Sequence, residues 1–121
     1  MGVTSFFMNT CETREMHRES VLRTRYYRNN FDQCLEIVKL MSTKYGLEVR
    51  DVNKTHGEIY LLGNGYDVIC TVCQVNPIES GIDFKINYFS TFGWGRPQKR
   101  AVEFYKFLDA NLKFKGVSLH Q

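Results

Sequence analysis

GEIYLLGNGYDVICTVCQVNPIESGIDFKINYFST, residues 57–91, decides the fold. Within it Asn64-Gly65 stands between two apolar runs. Both residue types tolerate the positive φ that a two-residue type I′ turn demands, so residues 58–62 are expected to pair antiparallel with 67–71. The turn also sets the register. With Asn64-Gly65 at the tip, Leu61 faces Val68 and Ile59 faces Cys70, which places Ile59, Leu61, Val68, Cys70 and Val72 on one face. A second reversal is expected over Asn76-Pro77-Ile78-Glu79-Ser80-Gly81, where proline and glycine turn the chain. The strand after it alternates, with Ile82, Phe84, Ile86 and Tyr88 to one side and Asp83, Lys85 and Asn87 to the other. Three strands with a shared apolar face need a cover.

Two amphipathic stretches supply it. Asn30 reads as a helix cap with Gln33 placed to reach back and Asp32 suited to the positive end of the dipole. Phe31, Cys34, Leu35, Val38, Met41 and Tyr45 then recur at helical spacing up to Gly46, a good terminator. Pro97 suits a first helical position, and Ala101, Phe104, Tyr105, Leu108 and Leu112 mark one face of a helix running to about residue 112. Residues 20–28 read as a first strand, in which Val21, Arg23, Arg25 and Tyr27 alternate with Leu22, Thr24 and Tyr26. Two arginines on one face argue that this face meets water. Residues 47–52 read as a second strand. The expectation is an α+β, two-layer domain: one antiparallel five-stranded sheet with both helices on one face, in the order β-α-β-β-β-β-α. Residues 1–19 are expected to be irregular and 113–121 a short tail. Phe6, Phe7 and Met8 are candidates to cover the outer sheet face, where Tyr60, Leu62, Ile69, Cys73 and Val75 point.

With 121 residues, 43% hydrophobic and 24% charged, the chain is sized for a single domain, 1–121, able to stand without metal or disulfide staples. No apolar run approaches the roughly 18 residues that span a bilayer. Residues 1–11 carry no positive charge and do not read as a secretory signal. Phe6 stands where a myristoylation signal wants serine or threonine. A cytoplasmic address is expected, with the four cysteines reduced. A net charge of +3 and a pI near 8.7 fall short of a dedicated nucleic-acid binder.

The strand and helix order is similar to TATA-binding-protein-like and helix-grip architectures, an analogy of topology only. Asn9-Thr10-Cys11-Glu12-Thr13-Arg14-Glu15, Leu22-Arg23-Thr24-Arg25-Tyr26-Tyr27, Gly95-Arg96-Pro97 and Phe114-Lys115-Gly116-Val117-Ser118-Leu119-His120 together resemble a family of small uncharacterised cytosolic proteins of Gram-positive bacteria. That resemblance implies a bacterial, cytosolic chain, intact at both ends, whose ends are more than tails. It carries no activity and no catalytic residue.

The loop 93–100 is the most suggestive chemical feature. Arg96, Lys99 and Arg100 gather where a helix dipole prefers acids, Gly95 permits close backbone approach, and Trp94 offers a stacking surface, so Trp94, Gly95, Arg96, Lys99 and Arg100 form a candidate anion site. The competing reading is a plain surface turn with Trp94 as core or lid. Arg23, Arg25 and Arg28 beside Tyr26 and Tyr27 form a candidate basic strand of the kind single-stranded nucleic-acid binders use, although an edge strand protected by charge is favoured. Cys70 and Cys73, three apart in a strand, point to opposite faces and cannot share a metal. Cys34 reads as core, and Cys11 as the exposed thiol best placed to react. His17, His56 and His120 lie apart, so no metal, no other cofactor and no catalytic residue is expected. The resulting expectation is a non-enzymatic binding or interaction protein. Its candidate partners are a second copy docking on the sheet face, or an anionic or amphiphilic small molecule between sheet and final helix. Nucleic acid is the weakest of the three.

Overall fold

The computed structural model of the chain describes residues 9–89 and 96–117. At its centre lies the meander β4 (Glu58–Leu62), β5 (Tyr66–Asn76) and β6 (Glu79–Tyr88). Ile59 lies opposite Cys70 and Leu61 opposite Val68, the register that Asn64-Gly65 dictates. The Gly63 N–H donates to the Tyr66 carbonyl at 2.8 Å to close this reversal, and Gly65 adopts φ +85°. The second reversal is tighter than the six residues expected. Asn76 pairs with Glu79, leaving Pro77 and Ile78 at the tip. An Asx bond explains the shortening, because Asn76 Oδ1 accepts from the Ile78 N–H at 2.9 Å.

Period-two burial runs through all three strands. Ile59, Leu61, Val68, Cys70, Val72, Ile82, Phe84, Ile86 and Tyr88 are buried on one face. Two helices cover that face, α1 (Phe31–Lys44) and α2 (Arg96–Asn111), which also pack on each other. Asn30 caps α1: its side chain accepts from the Gln33 N–H at 2.9 Å, and the Gln33 side chain accepts from the Asn30 N–H at 3.0 Å. The Phe31 N–H is satisfied from outside by Gln74 Oε1 at 2.8 Å. Gly46, at φ +69°, lets the chain leave α1. Phe31, Cys34, Val38 and Met41 bury one stripe of α1, and Ala101, Phe104, Tyr105 and Leu108 one stripe of α2.

The sheet itself is larger than expected. Among the described residues it has seven strands in the order β3-β4-β5-β6-β2-β7, with β1 also against β6. Here β1 is Asn9–Glu12, β2 Arg25–Tyr27, β3 Glu48–Asn53 and β7 Phe114–Val117. Two stretches expected to be irregular are therefore partly strand. Asn9 pairs with Tyr88 inside the supposedly irregular 1–19, and Val117 pairs with Arg25 inside the supposed tail. Four-residue strands are too short to show a period, and it is the unpaired backbone of β6 and β2 that recruits them.

The strand expected over 20–28 shrinks to Arg25–Tyr27, preceded by a 3-10 turn at Ser20–Leu22. Competition for one edge is the cause. β1 takes β6 from Lys85 to Tyr88, so β2 has only Ser80 to Ile82 left. Thr13 fills the gap between them: its N–H donates to the Phe84 carbonyl, and its Oγ1 accepts the Phe84 N–H, both at 2.8 Å. The same Oγ1 accepts from the Tyr105 hydroxyl at 2.9 Å, tying this junction to α2.

Nor is Arg25 turned to water. It lies opposite Ile82, on the helix-covered face, with its guanidinium on Asp109 of α2 at 2.8 Å. The outer face of the sheet is knitted by polar bonds. The Tyr60 hydroxyl and Asn87 Nδ2 both donate to Asp67, and Thr10 Oγ1 lies 2.7 Å from Asn87 Oδ1. Tyr60, Leu62 and Ile69 are half-buried there, while Cys73 and Val75 are exposed. Phe6, Phe7 and Met8, the suggested cover, lie outside the described residues.

Candidate functional site

Along the first two turns of α2 the sequence places Arg96, Lys99, Arg100 and Glu103 at spacings of three, four and seven, which set them on one side of a helix. Pro97 and Ala101, between them, are buried and hold that side away from the core. The side faces Tyr88 at the end of β6, and together the five residues line an open cavity of about 240 Å³. Three of the five expected anion-site residues, Arg96, Lys99 and Arg100, thus share one wall. Trp94 and Gly95 lie outside the described residues.

Tyr88 supplies the aromatic part of the lining, with further rings behind it. Tyr66 and Tyr88 pair across β5 and β6, and their rings stack 4.7 Å apart with planes within 7°. The Arg96 guanidinium sits 4.7 Å from the centre of the Tyr88 ring. That of Arg100 sits 5.2 Å from Tyr45 and 5.5 Å from Tyr66. A guanidinium held near an aromatic ring keeps its N–H fork free for a carboxylate or phosphate while losing less side-chain freedom on binding. Arg100 is further held by Glu103, with Nη1 3.0 Å from Oε1. Burial opposes the Arg100 charge, but the Tyr88 hydroxyl and the nearby Tyr66 and Glu103 more than offset it, so its pKa lies above the ordinary arginine value. Arg96 and Lys99 have no carboxylate within ion-pair distance among the described residues.

The ring stacked behind Tyr88 carries an anomaly. The Tyr66 hydroxyl is buried and finds no hydrogen-bond partner among the described residues. Burial also pushes that phenol up, with Arg100 pulling the other way. Tyr45, Tyr66, Tyr88 and Glu103 were not singled out from the sequence as part of the site. The cross-strand pairing of Tyr66 with Tyr88 follows from the register of the second hairpin, and Glu103 from helical spacing after Arg100.

No such gathering occurs for the basic strand. Arg25 is committed to Asp109 and lies over the rings of Phe114, at 4.7 Å, and Tyr105, at 5.5 Å. Arg23 Nε donates to the His17 carbonyl at 2.6 Å. Arg28 lies 3.9 Å from Glu79 and is the most exposed of the three. These contacts belong to the fold and leave no continuous strip of free cations.

The thiols divide as the strand geometry requires, with Cys70 buried and Cys73 exposed on opposite faces. Cys11, expected to be exposed, is buried against β6. Burial, with Glu19 and Glu12 adding to it, pushes that thiol up to about 11, which leaves it protonated and unreactive at neutral pH. Cys34 is pushed up to about 11 by burial as well. Among the described residues no group of three histidine, cysteine or acidic side chains is placed to hold a metal ion. The space between sheet and α2 is filled by Phe84, Phe104, Tyr105 and Leu108, so the cavity opens at the start of α2 and not beneath it.

No family model matches this sequence, and neither does any curated protein or solved structure. The functional reading rests on the site.

Proposed function

We propose that this is a non-enzymatic binding domain whose ligand is a small anion, held at the start of α2 by Arg96, Lys99 and Arg100. The observation that carries the reading is the pair of cations, Arg96 and Lys99, left without an acidic partner among the described residues on the wall of a cavity they share with Tyr88. Their placement is unfavourable without an anion. Like charges three and four apart on a helix cost roughly 0.2–0.5 kcal/mol per pair, and each cation at the positive end of a helix dipole costs about as much again. Together these come to on the order of 2 kcal/mol, of which Glu103 relieves the share belonging to Arg100. A carboxylate or phosphate on Arg96 and Lys99 relieves the rest.

Self-association through the outer sheet face has less support. A two-fold contact there would bury the carboxylates of Glu58 and Asp67, and charge taken into an interface is costly unless it is paired. Isothermal titration with inorganic phosphate, citrate and sulfate at low ionic strength tests the anion reading. Binding that weakens as salt rises and is lost in the double variant Arg96→Ala/Lys99→Ala, whose ligand-free thermal melt is not lowered, is the expected result. Absence of heat for all three anions at millimolar concentration overturns it.

A further inference from the structure

Resting on that reading, we infer that the ligand carries hydrogen-bond donors as well as its anionic group, as a phosphorylated polyol does. The reason lies in the fourth polar residue of the wall. Glu103 lines the same cavity as the cations, and among the described residues only its Oε1 is engaged, by Arg100 at 3.0 Å. Its side chain is 41% exposed, with Oε2 bonded to none of the described residues. Arg100 in turn is fixed between Glu103 and the rings of Tyr45 and Tyr66, so it shapes the site more than it supplies free charge.

This splits the wall in two. Arg96 and Lys99 receive the anion, while an acceptor waits one helical turn further along. Lys99 and Glu103 are four residues apart, a rise of about 6 Å at 1.5 Å per residue. A bare phosphate reaches one end only. A dicarboxylate of the right length brings a second negative charge onto Glu103 and is repelled. A sugar phosphate spans both ends, with its phosphate on Arg96 and Lys99 and a hydroxyl donating to Glu103. A hydrogen bond to a charged acceptor is worth about a tenfold gain in affinity.

Three probes and one variant test the inference: inorganic phosphate, ribose 5-phosphate and succinate, titrated into the parent protein and Glu103→Gln. Ribose 5-phosphate is expected to bind about tenfold more tightly than phosphate, with succinate weakest. Glu103→Gln is expected to erase most of the sugar phosphate's advantage over phosphate and to bring succinate closer to phosphate. The conservative replacement still accepts a bond from Arg100, so equal weakening of phosphate and ribose 5-phosphate assigns Glu103 to positioning Arg100 and overturns the inference. Phosphate and ribose 5-phosphate binding equally well to the parent overturns it too. If none of the three binds, the anion reading itself fails and this inference falls with it.

Discussion

Removing the carboxylate of Asp109 is expected to cost about 3 kcal/mol, because one side chain near the end of α2 satisfies two groups of β2. Its Oδ1 accepts from the Tyr27 hydroxyl at 2.7 Å, and its Oδ2 from Arg25 Nη2 at 2.8 Å. Tyr27 is fully buried, so in Asp109→Ala its hydroxyl loses its protein partner, a penalty of roughly 1–3 kcal/mol. The Arg25 pair is partly open to solvent, with side chains 19% and 29% exposed, and adds about 1 kcal/mol. Urea unfolding at pH 7 reads the total, and a thermal melt is expected to fall by on the order of 10 °C. Adding Tyr27→Phe to Asp109→Ala removes the stranded hydroxyl and is expected to recover about 1–2 kcal/mol, while Asp109→Asn, which still accepts from Tyr27, falls in between. A loss below about 1 kcal/mol for Asp109→Ala, or no recovery in the double variant, refutes the reasoning.

Three further outcomes follow from other parts of the fold. Gly57 and Gly65 both have positive φ, at +70° and +85°, but an added Cβ meets the Val72 carbonyl only at Gly57. Alanine at Gly65 is therefore expected to cost about 1 kcal/mol and at Gly57 at least about 3, and similar losses at both sites in urea melts would contradict this. Tyr66→Phe deletes a buried hydroxyl with no partner among the described residues and is expected to leave stability unchanged or raise it by about 1 kcal/mol; a loss of that size in the same assay counts against it. Burial raises the Asp83 pKa, with Glu15 and Glu12 adding to it and hydrogen bonds from Thr24 and Thr13 opposing. Such a carboxyl takes up protons on folding, so the parent loses stability as pH climbs from the ordinary carboxylate range through the raised value. The advantage of Asp83→Asn over the parent should grow across that interval in unfolding curves taken between pH 4 and pH 7, and a difference that stays constant with pH removes the basis for this reading.

Elements with their own local grammar were legible in the sequence. Asn64-Gly65 set the β4 and β5 register, Ile82 to Tyr88 announced the buried face of β6, and Asn30 with Gln33 fixed the start of α1. The parts that were not legible depend on partners far away along the chain. β1 and β7 have no periodicity of their own and exist because β6 and β2 have edges to fill. The alternation of Arg23, Arg25 and Tyr27 suggested a wet face, whereas Arg25 is drawn to the covered side by Asp109 and the Tyr105 and Phe114 rings. The cations of the candidate site were visible from charge at a helix start. The tyrosines around those cations were not, since Tyr66 and Tyr88 meet only through the second hairpin and Tyr45 arrives from the end of α1.

Where the far edge of β6 is made has a kinetic consequence. The meander joins strands separated by short reversals, which close on microsecond timescales. Bonds that seal the edge connect distant positions: Thr10 to Asn87 spans 77 residues, and Tyr105 to Thr13 spans 92. Loops of that length pay their closure entropy before they gain contacts, so docking of β1, β2 and β7 is the slow part of assembly. On the ribosome the central strands can pair early. The β2 edge, however, stays unsealed until residue 117 has emerged, so the nascent domain carries an open strand edge from the time β2 joins β6 until then.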